Sequence, residues 1–208
     1  MPAEGSPPYM SLRERKQQAA REHVADAASP LFLRDGYVAT TTRAVAKAAG
    51  VAEGTVFNLF GSKAELLLAS LQRSVPDLVD SAVWTEQARA MPDAAAVIEH
   101  FSVTGKQVSD AALPLVRVFL EAANVDESVA EAWRRQERFR LDGQKWVLEV
   151  LAERGWLRSD RGFDELALDL WLLAAPELHL KWLDAGMGED EFQRWRRGLL
   201  ATLLLDPA

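Results

Sequence analysis

Three sets of side chains in this sequence have types and spacings that could do chemistry. The first is the histidines, His23, His100 and His179, two of which stand near a glutamate as Glu99-His100 and Glu177-x-His179. Two ligands aimed at one metal from one helix need i, i+4 spacing, and neither pair has it. No serine or carboxylate pair has a recognisable catalytic partner, and no phosphate-binding glycine loop is present. Without cysteine there is no thiolate chemistry and no disulfide framework. Neither an enzyme nor a cofactor or metal site is expected. His100 reads as a buried or half-buried structural residue, and His179 as a surface or pocket-edge one.

The second set is a stripe. Ala132, Gln136, Phe139, Gly143, Trp146 and Val150 recur at alternating four-three spacing, which puts them on one face of a long helix. Large aromatics beside a glycine, with one amide, suit an apolar cavity that has a polar handle. The same stripe also suits ordinary core, with Gly143 admitting a neighbouring helix and Gln136 at the rim, and core is the commoner origin of such a pattern. Phe101, Trp171 and Trp84 are further candidates for a cavity wall.

The third set lies in residues 40–63, TTTRAVAKAAGVAEGTVFNLFGSK. Here two helix-like segments of about eight residues, near Thr42–Ala49 and Glu53–Phe60, flank Gly50-Val51. Helices so short are marginal alone, so each must pack on the other and on a third element. Val45, Ala46, Ala49, Val51, Val56, Leu59 and Phe60 supply the apolar positions of two crossed helices. Ala46 is small where the second helix crosses, and Gly50 permits the positive φ of a tight turn. Two helices at a steep angle joined by a short glycine turn make a helix-turn-helix, whose second helix lies in the DNA major groove.

The elements that must position these residues are helices almost throughout, so the fold class is all-α. Ala, Leu, Glu and Arg dominate and breakers fall between helical blocks. Residues 1–10 read as a disordered arm. A first helix is expected from about Leu12 to Arg34, ending at Asp35-Gly36, with Pro30 kinking it. The fourth helix begins at SKAE, where Ser62 and Glu65 have capping-box spacing. Later blocks are expected at 92–110, 113–124, 126–154, 163–184 and 189–204. A chain of 208 residues, 49% hydrophobic and 26% charged, can bury a sizeable core. No apolar run is long enough to cross a membrane. The net charge of −7 is uneven: through Lys63 the chain holds eight basic and six acidic side chains, and beyond it sixteen and twenty-five. A mildly basic head on an acidic body suits a protein that meets polyanion at one end. With no signal-like start, the cytoplasm is the expected location.

The frame Gly-Tyr-x-x-Thr-Thr, x-Ala-x-x-Ala-Gly-Val, Gly-Thr-Val-Phe and Phe-x-x-Lys, within about Arg13 to Leu71, resembles the TetR-type bacterial transcriptional regulators. That resemblance implies a homodimer that binds an inverted-repeat operator on double-stranded DNA and releases it when a small-molecule effector enters the helical body. It also implies roles. Thr41 and Thr42 start the second helix, where a hydroxyl caps and backbone N–H groups hold phosphate. Arg43 is a phosphate contact, Gly54 lets backbone approach DNA, and Thr55 follows at the leading end of the recognition helix. Phe57 takes the family's usual tyrosine position and keeps only packing on sugar. Asn58 is the base reader, since an amide can bond adenine bidentately. Lys63 contacts phosphate. Two departures stand out: Ala52 replaces a capping serine, a loss of about 1 kcal/mol, and Glu53 replaces a frequent basic residue.

The body carries its own argument. LALDLWLLAA, residues 166–175, is apolar nearly all round with Asp169 its one charge, so something must cover every side. The last helix adds Phe192, Trp195, Leu199 and Leu203 as a stripe, with Arg194, Arg196 and Arg197 off it. Pairing of these two helices with their twofold copies would make a four-helix bundle; the alternative is a monomer with a third layer. The expected organisation is a three-helix helix-turn-helix domain at 11–73 and a larger ligand-binding and dimerisation domain at 74–208. The effector would be mostly apolar, bound by Gln136, Phe139 and Trp146 with Phe101 and Trp171. The alternative function is a DNA-binding adaptor whose body docks a protein.

Overall fold

The computed structural model describes residues 11–75 and 81–206, and the arm expected at 1–10 lies outside the described residues. Among the described residues there are eleven helices and one isolated antiparallel bridge, Leu157 with Leu205. The first, α1 (Leu12–Ala39), starts on a full capping box: Ser11 Oγ accepts from the Glu14 N–H at 3.2 Å, and the Glu14 carboxylate accepts from the Ser11 N–H at 2.8 Å. The expected end at Gly36 is a break instead, with φ 74° and ψ 174°, followed by one more turn to Ala39. Only glycine takes that φ without strain. The residues around Pro30 keep helical torsions, and the non-helical torsions inside α1 are those of Gly36. Proline's own φ is helical, and the carbonyl it leaves unpaired, on the exposed Asp26, is open to water.

Three short helices follow, α2 (Thr42–Ala49), α3 (Glu53–Phe60) and α4 (Lys63–Arg73). The cap of α4 is half the expected box. Ser62 Oγ accepts from the Glu65 N–H at 3.1 Å, but the Glu65 carboxylate turns away to Arg135. Next come α5 (Ser81–Arg89), which the breaker pattern did not anticipate, and α6 (Ala94–Ala123). At 30 residues α6 runs straight through the break expected at Leu113-Pro114. Leu113, Leu115 and Val116 are all buried around the exposed Pro114, so packing on both sides outweighs one lost backbone bond.

The reverse happens twice. The block expected at 126–154 is two helices, α7 (Glu127–Gly143) and α8 (Trp146–Glu153), and that at 163–184 is α9 (Phe163–Leu173) and α10 (Pro176–Asp184). Pro176 opens α10 at its first turn, where its missing N–H costs nothing. The chain closes with α11 (Glu189–Leu204). Its inward face is Phe192, Gln193, Arg196, Leu200 and Leu204, so the expected stripe was rotated: Arg196 is inside and Trp195 outside. Similarly α9 buries Leu166, Ala167 and Leu170 and leaves Leu168 and Leu172 exposed.

The buried residues form two clusters. One joins α1–α4 to Leu113, Val116 and Phe119 of α6 and to Val129 and Ala132 of α7. The other joins α5, the first half of α6, α8, α9 and α11. The first cluster therefore runs past residue 73 without a gap. Polar links reinforce it: Tyr37 Oη donates to Asp126 at 2.8 Å, and Arg135 pairs with Glu65. The carboxyl of Asp126 is held below its ordinary range by bonds from Ser128 and Tyr37.

Candidate functional site

The first region of interest is the α2–α3 corner. Thr41 caps α2, its hydroxyl accepting from the Ala44 N–H at 3.1 Å. Gly50 ends the helix in the left-handed region (φ 66°, ψ 29°), and the Val51 N–H reaches back to the Ala46 carbonyl at 3.0 Å. Among the described residues nothing lies within 4 Å of a Cβ placed at Gly50, so the glycine is required by its torsion and not by space. All seven apolar residues expected at the crossing are buried or half-buried.

At the start of α3, Ala52 provides no side-chain cap. The Glu53 carboxylate, expected to repel phosphate, accepts from Thr42 Oγ1 at 3.0 Å and ties α3 to α2. That leaves an outward edge. Thr41, Arg43, Gly54, Phe57 and Asn58 are exposed, with Phe57 at 67%, and Thr42 and Thr55 are half-buried. A Cβ at Gly54 would meet nothing within 4 Å among the described residues. Among the described residues, the side chains of Arg43 and Asn58 make no hydrogen bond.

Lys63 does not share that edge. Its ammonium donates to the Tyr37 carbonyl at 2.8 Å and the Thr40 carbonyl at 3.2 Å, lies 3.5 Å from that of Val38, and sits 4.1 Å over the Tyr37 ring. Burial holds it below the ordinary lysine range. Its donors are spent on the end of α1, so the phosphate role implied by the resemblance gives way to a structural one. Two more side chains do likewise: His23 Nε2 meets the Ala49 carbonyl at 2.9 Å, and Arg21 donates to the Leu59 carbonyl. A carbonyl can only accept, so Nε2 of His23 carries a proton. Each ends a helix where the dipole favours positive charge, from a position 23 to 38 residues away. That distance hides them from any local motif.

The second region is a cavity of about 520 Å³ among α4, α5, α6, α7 and α8, with Arg196 of α11 on its wall. Phe101, Gln136, Phe139 and Trp146 border it as expected, and so does Trp84. Phe139 stands at the mouth, 64% exposed. The stripe itself is corrected: α7 ends at Gly143, so Trp146 and Val150 belong to the next helix, and Ala132 and Val150 are plain core. Trp171 does not line the cavity. Its indole N–H donates to Glu137 at 3.1 Å, outside the wall that Glu137 and Arg140 form. Leu71 and Gln72 of α4 do line it, and the Gln72 amide donates to Gln136 at 3.2 Å. Their local pattern is that of any amphipathic helix, and nothing in it announces a ligand wall.

His179 is also misplaced by the sequence reading: it is buried, bonded to Glu189 at 2.6 Å and stacked on Phe192 at 4.3 Å. His100 is half-buried, edge-on to Trp146. Among the described residues no three His, Asp or Glu side chains gather as a metal site would need, and no helix is long and apolar enough to cross a membrane.

Comparison with known proteins addresses the α1–α4 unit. Residues 24–70 match the family model for bacterial regulatory proteins of the tetR family. The N-terminal unit is thus similar to the tetR-family regulators. A stretch of 62 residues is also 40% identical to the HTH-type transcriptional repressor KstR of Rhodococcus jostii (strain RHA1), covering 30% of this chain and 29% of that one. The chain thus aligns with under a third of the curated relative's length. Solved structures extend the likeness to the whole fold. A putative TetR-family regulator from Mesorhizobium loti superposes with TM-score 0.66 at 16% identity, over 90% of this chain and 96% of that one. NalD, the secondary repressor of the MexAB-OprM multidrug efflux pump in Pseudomonas aeruginosa, does so with TM-score 0.64 at 20% identity, over 93% and 100%.

Proposed function

We propose that the chain is a sequence-specific DNA-binding transcriptional repressor, a homodimer that holds an inverted-repeat operator and releases it when a mostly apolar small molecule fills the cavity. Residues 11–73 serve as the DNA-binding domain and 74–208 as the ligand-binding and dimerisation domain of a cytoplasmic protein. The observation that carries this reading is the split on α3. Val56 and Phe60 are spent on the core, while Phe57, Asn58 and, on α2, Arg43 are exposed, with no side-chain hydrogen bond of Asn58 or Arg43 among the described residues. Asn58 reads a base, Arg43 and the capped start of α2 meet phosphate, and Gly54 allows close backbone approach. The roles of KstR and NalD as repressors support the same conclusion.

The body supplies dimerisation and control. Leu168 and Leu172 of α9 and Trp195 of α11 are exposed apolar side chains, which a twofold copy would cover in a four-helix bundle. α4 connects the two regions, since Leu71 and Gln72 border the cavity and Lys63, at its other end, clamps the turn before α2. A ligand that moves α4 moves the recognition helices of the dimer. A differential affinity of about 1–3 kcal/mol between the two dimer shapes makes a useful switch. The protein-docking alternative has less support, because a cavity of about 520 Å³ is of small-molecule size. Selection of bound DNA from a random pool tests the reading. An inverted repeat with half-sites about one helical turn apart, or somewhat more, is expected. Asymmetric or sequence-independent winners would sink it.

A further inference from the structure

The two arginines on the cavity wall differ in how their donors are used. Arg140 is fully engaged. Its Nε and Nη2 donate to the two Glu137 carboxylate oxygens at 3.0 and 2.6 Å, and Nη1 to the carbonyls of Trp171 and Ala174 at 3.1 and 3.2 Å. Its charge is cancelled where it stands. Arg196 is 3% exposed and has no carboxylate in ion-pair range among the described residues. Its Nη2 donates to Gln193 Oε1 at 2.7 Å and the Ser102 carbonyl at 3.4 Å and its guanidinium lies 5.3 Å from the Phe192 ring centre, while its buried Nε has no hydrogen-bond partner among the described residues.

The charged groups around Arg196 do not neutralise it. Glu189, the acid whose charge acts on Arg196, is already held by His179 at 2.6 Å, Gln193 at 2.7 Å and Lys106 at 3.8 Å. Arg197 pairs with Glu99 on the outside. Burial pushes the Arg196 guanidinium down to about 10, with Glu189 opposing and Arg197 adding to the shift, so it remains charged at neutral pH. A buried cation with unspent donors is costly, and proteins keep such groups paired or use them to bind. Gly105 lies beside the guanidinium, where a Cβ would stand at an ordinary contact distance of 3.8 Å from Nη2. Phe101, Trp84, Trp146 and Val116 form an apolar part of the wall, which Gln72, Gln136, Thr104 and Ser109 also border.

We propose that the cavity takes an amphipathic carboxylate, its apolar body against Phe101, Trp84 and Trp146 and its anionic head on the unspent donors of Arg196. This rests on the cavity being the effector site and adds the chemical class of the effector. Charge-assisted bonds from guanidinium to carboxylate are stronger than bonds to a neutral group, so the head decides affinity among ligands with one tail.

The test is a tryptophan-emission titration of the full chain with decanoate, decanamide and decylamine, because Trp84, Trp133 and Trp146 line the cavity. Decanoate should bind about tenfold or more tightly than decanamide, with decylamine weakest. Arg196→Lys should retain that order, and Arg196→Gln should bring acid and amide to within about twofold of each other. Equal affinity of acid and amide, preference for the amine, binding of none of the three, or a carboxylate preference surviving in Arg196→Gln would each overturn the proposal. If Arg196→Gln fails to fold by circular dichroism, the wild-type series alone decides. No DNA enters this titration. Failure to select an operator would sink the proposed function and leave the head-group preference standing, and the converse holds too.

Discussion

Lys63→Met separates a structural lock from a DNA contact. Methionine keeps the stem but removes the ammonium from the Tyr37 and Thr40 carbonyls, at 2.8 and 3.2 Å, and from the Tyr37 ring at 4.1 Å. Charge-assisted hydrogen bonds contribute about 1.5–3 kcal/mol each when well buried, and a cation over a ring adds about 0.5–1. The site is half-buried and water will replace part of this, so a net loss of about 2–3 kcal/mol is expected. For a chain of this length each kcal/mol lowers Tm by about 2–4 °C, which gives a drop of about 5–10 °C. Thermal melts give that number. Operator affinity across a salt series gives the other half of the answer. If each protomer's Lys63 neutralised a phosphate, its removal from the dimer would reduce the slope of log K against log salt by about 1.8. The lock predicts a slope unchanged within about 0.5. A variant that melts like wild type and loses the slope would refute the structural assignment of Lys63.

Asn58→Ala should relax base preference at one position per half-site while leaving the salt slope intact, read by repeating the pool selection; an unchanged preference would remove Asn58 as base reader. Pro30→Ala should stabilise the chain by about 1–3 kcal/mol in urea unfolding, because the exposed Asp26 carbonyl regains a donor in an otherwise regular helix; lower stability would mean that the proline ring is needed where it lies. Tyr37→Phe removes the bond to Asp126 and should cost about 1 kcal/mol at pH 7. Since the Asp126 carboxyl is lowered in the folded chain, its contribution is present above the unfolded value and lost as pH falls through the folded one. The gap between wild type and Tyr37→Phe, in urea midpoints, should therefore close below about pH 4.

The helix-turn-helix was legible because its constraints are local. Small, glycine and apolar positions recur within twenty-odd residues, and each has one physical reason. The helix boundaries in the body were less so, because proline has different consequences in different surroundings. At Pro114 buried neighbours carry α6 straight through, whereas Pro176 starts a new helix after Ala174-Ala175. The cavity was half legible. Four of the stripe residues border it, yet the break at Gln144-Lys145 puts them on two helices. Arg196 was out of reach, since an arginine among Arg194 and Arg197 looks like solvated surface until α11 is turned so that it faces Ser102. The same holds for His23, Arg21 and Lys63, whose partners are far away along the chain.

The central claim is that the cavity and the outer edge of α3 are two ends of one equilibrium, and it can be tested without knowing the effector. All seven tryptophans, Trp84, Trp133, Trp146, Trp156, Trp171, Trp182 and Trp195, lie beyond the helix-turn-helix. Linkage is reciprocal, so DNA bound at α3 must alter the body that the tryptophans report. Tryptophan emission followed while the selected duplex is titrated in, beside anisotropy of the labelled duplex, is the direct measurement. The account predicts a saturable change in emission over the same concentration range as binding, absent with a scrambled duplex. Full binding by anisotropy with unchanged tryptophan emission would contradict it.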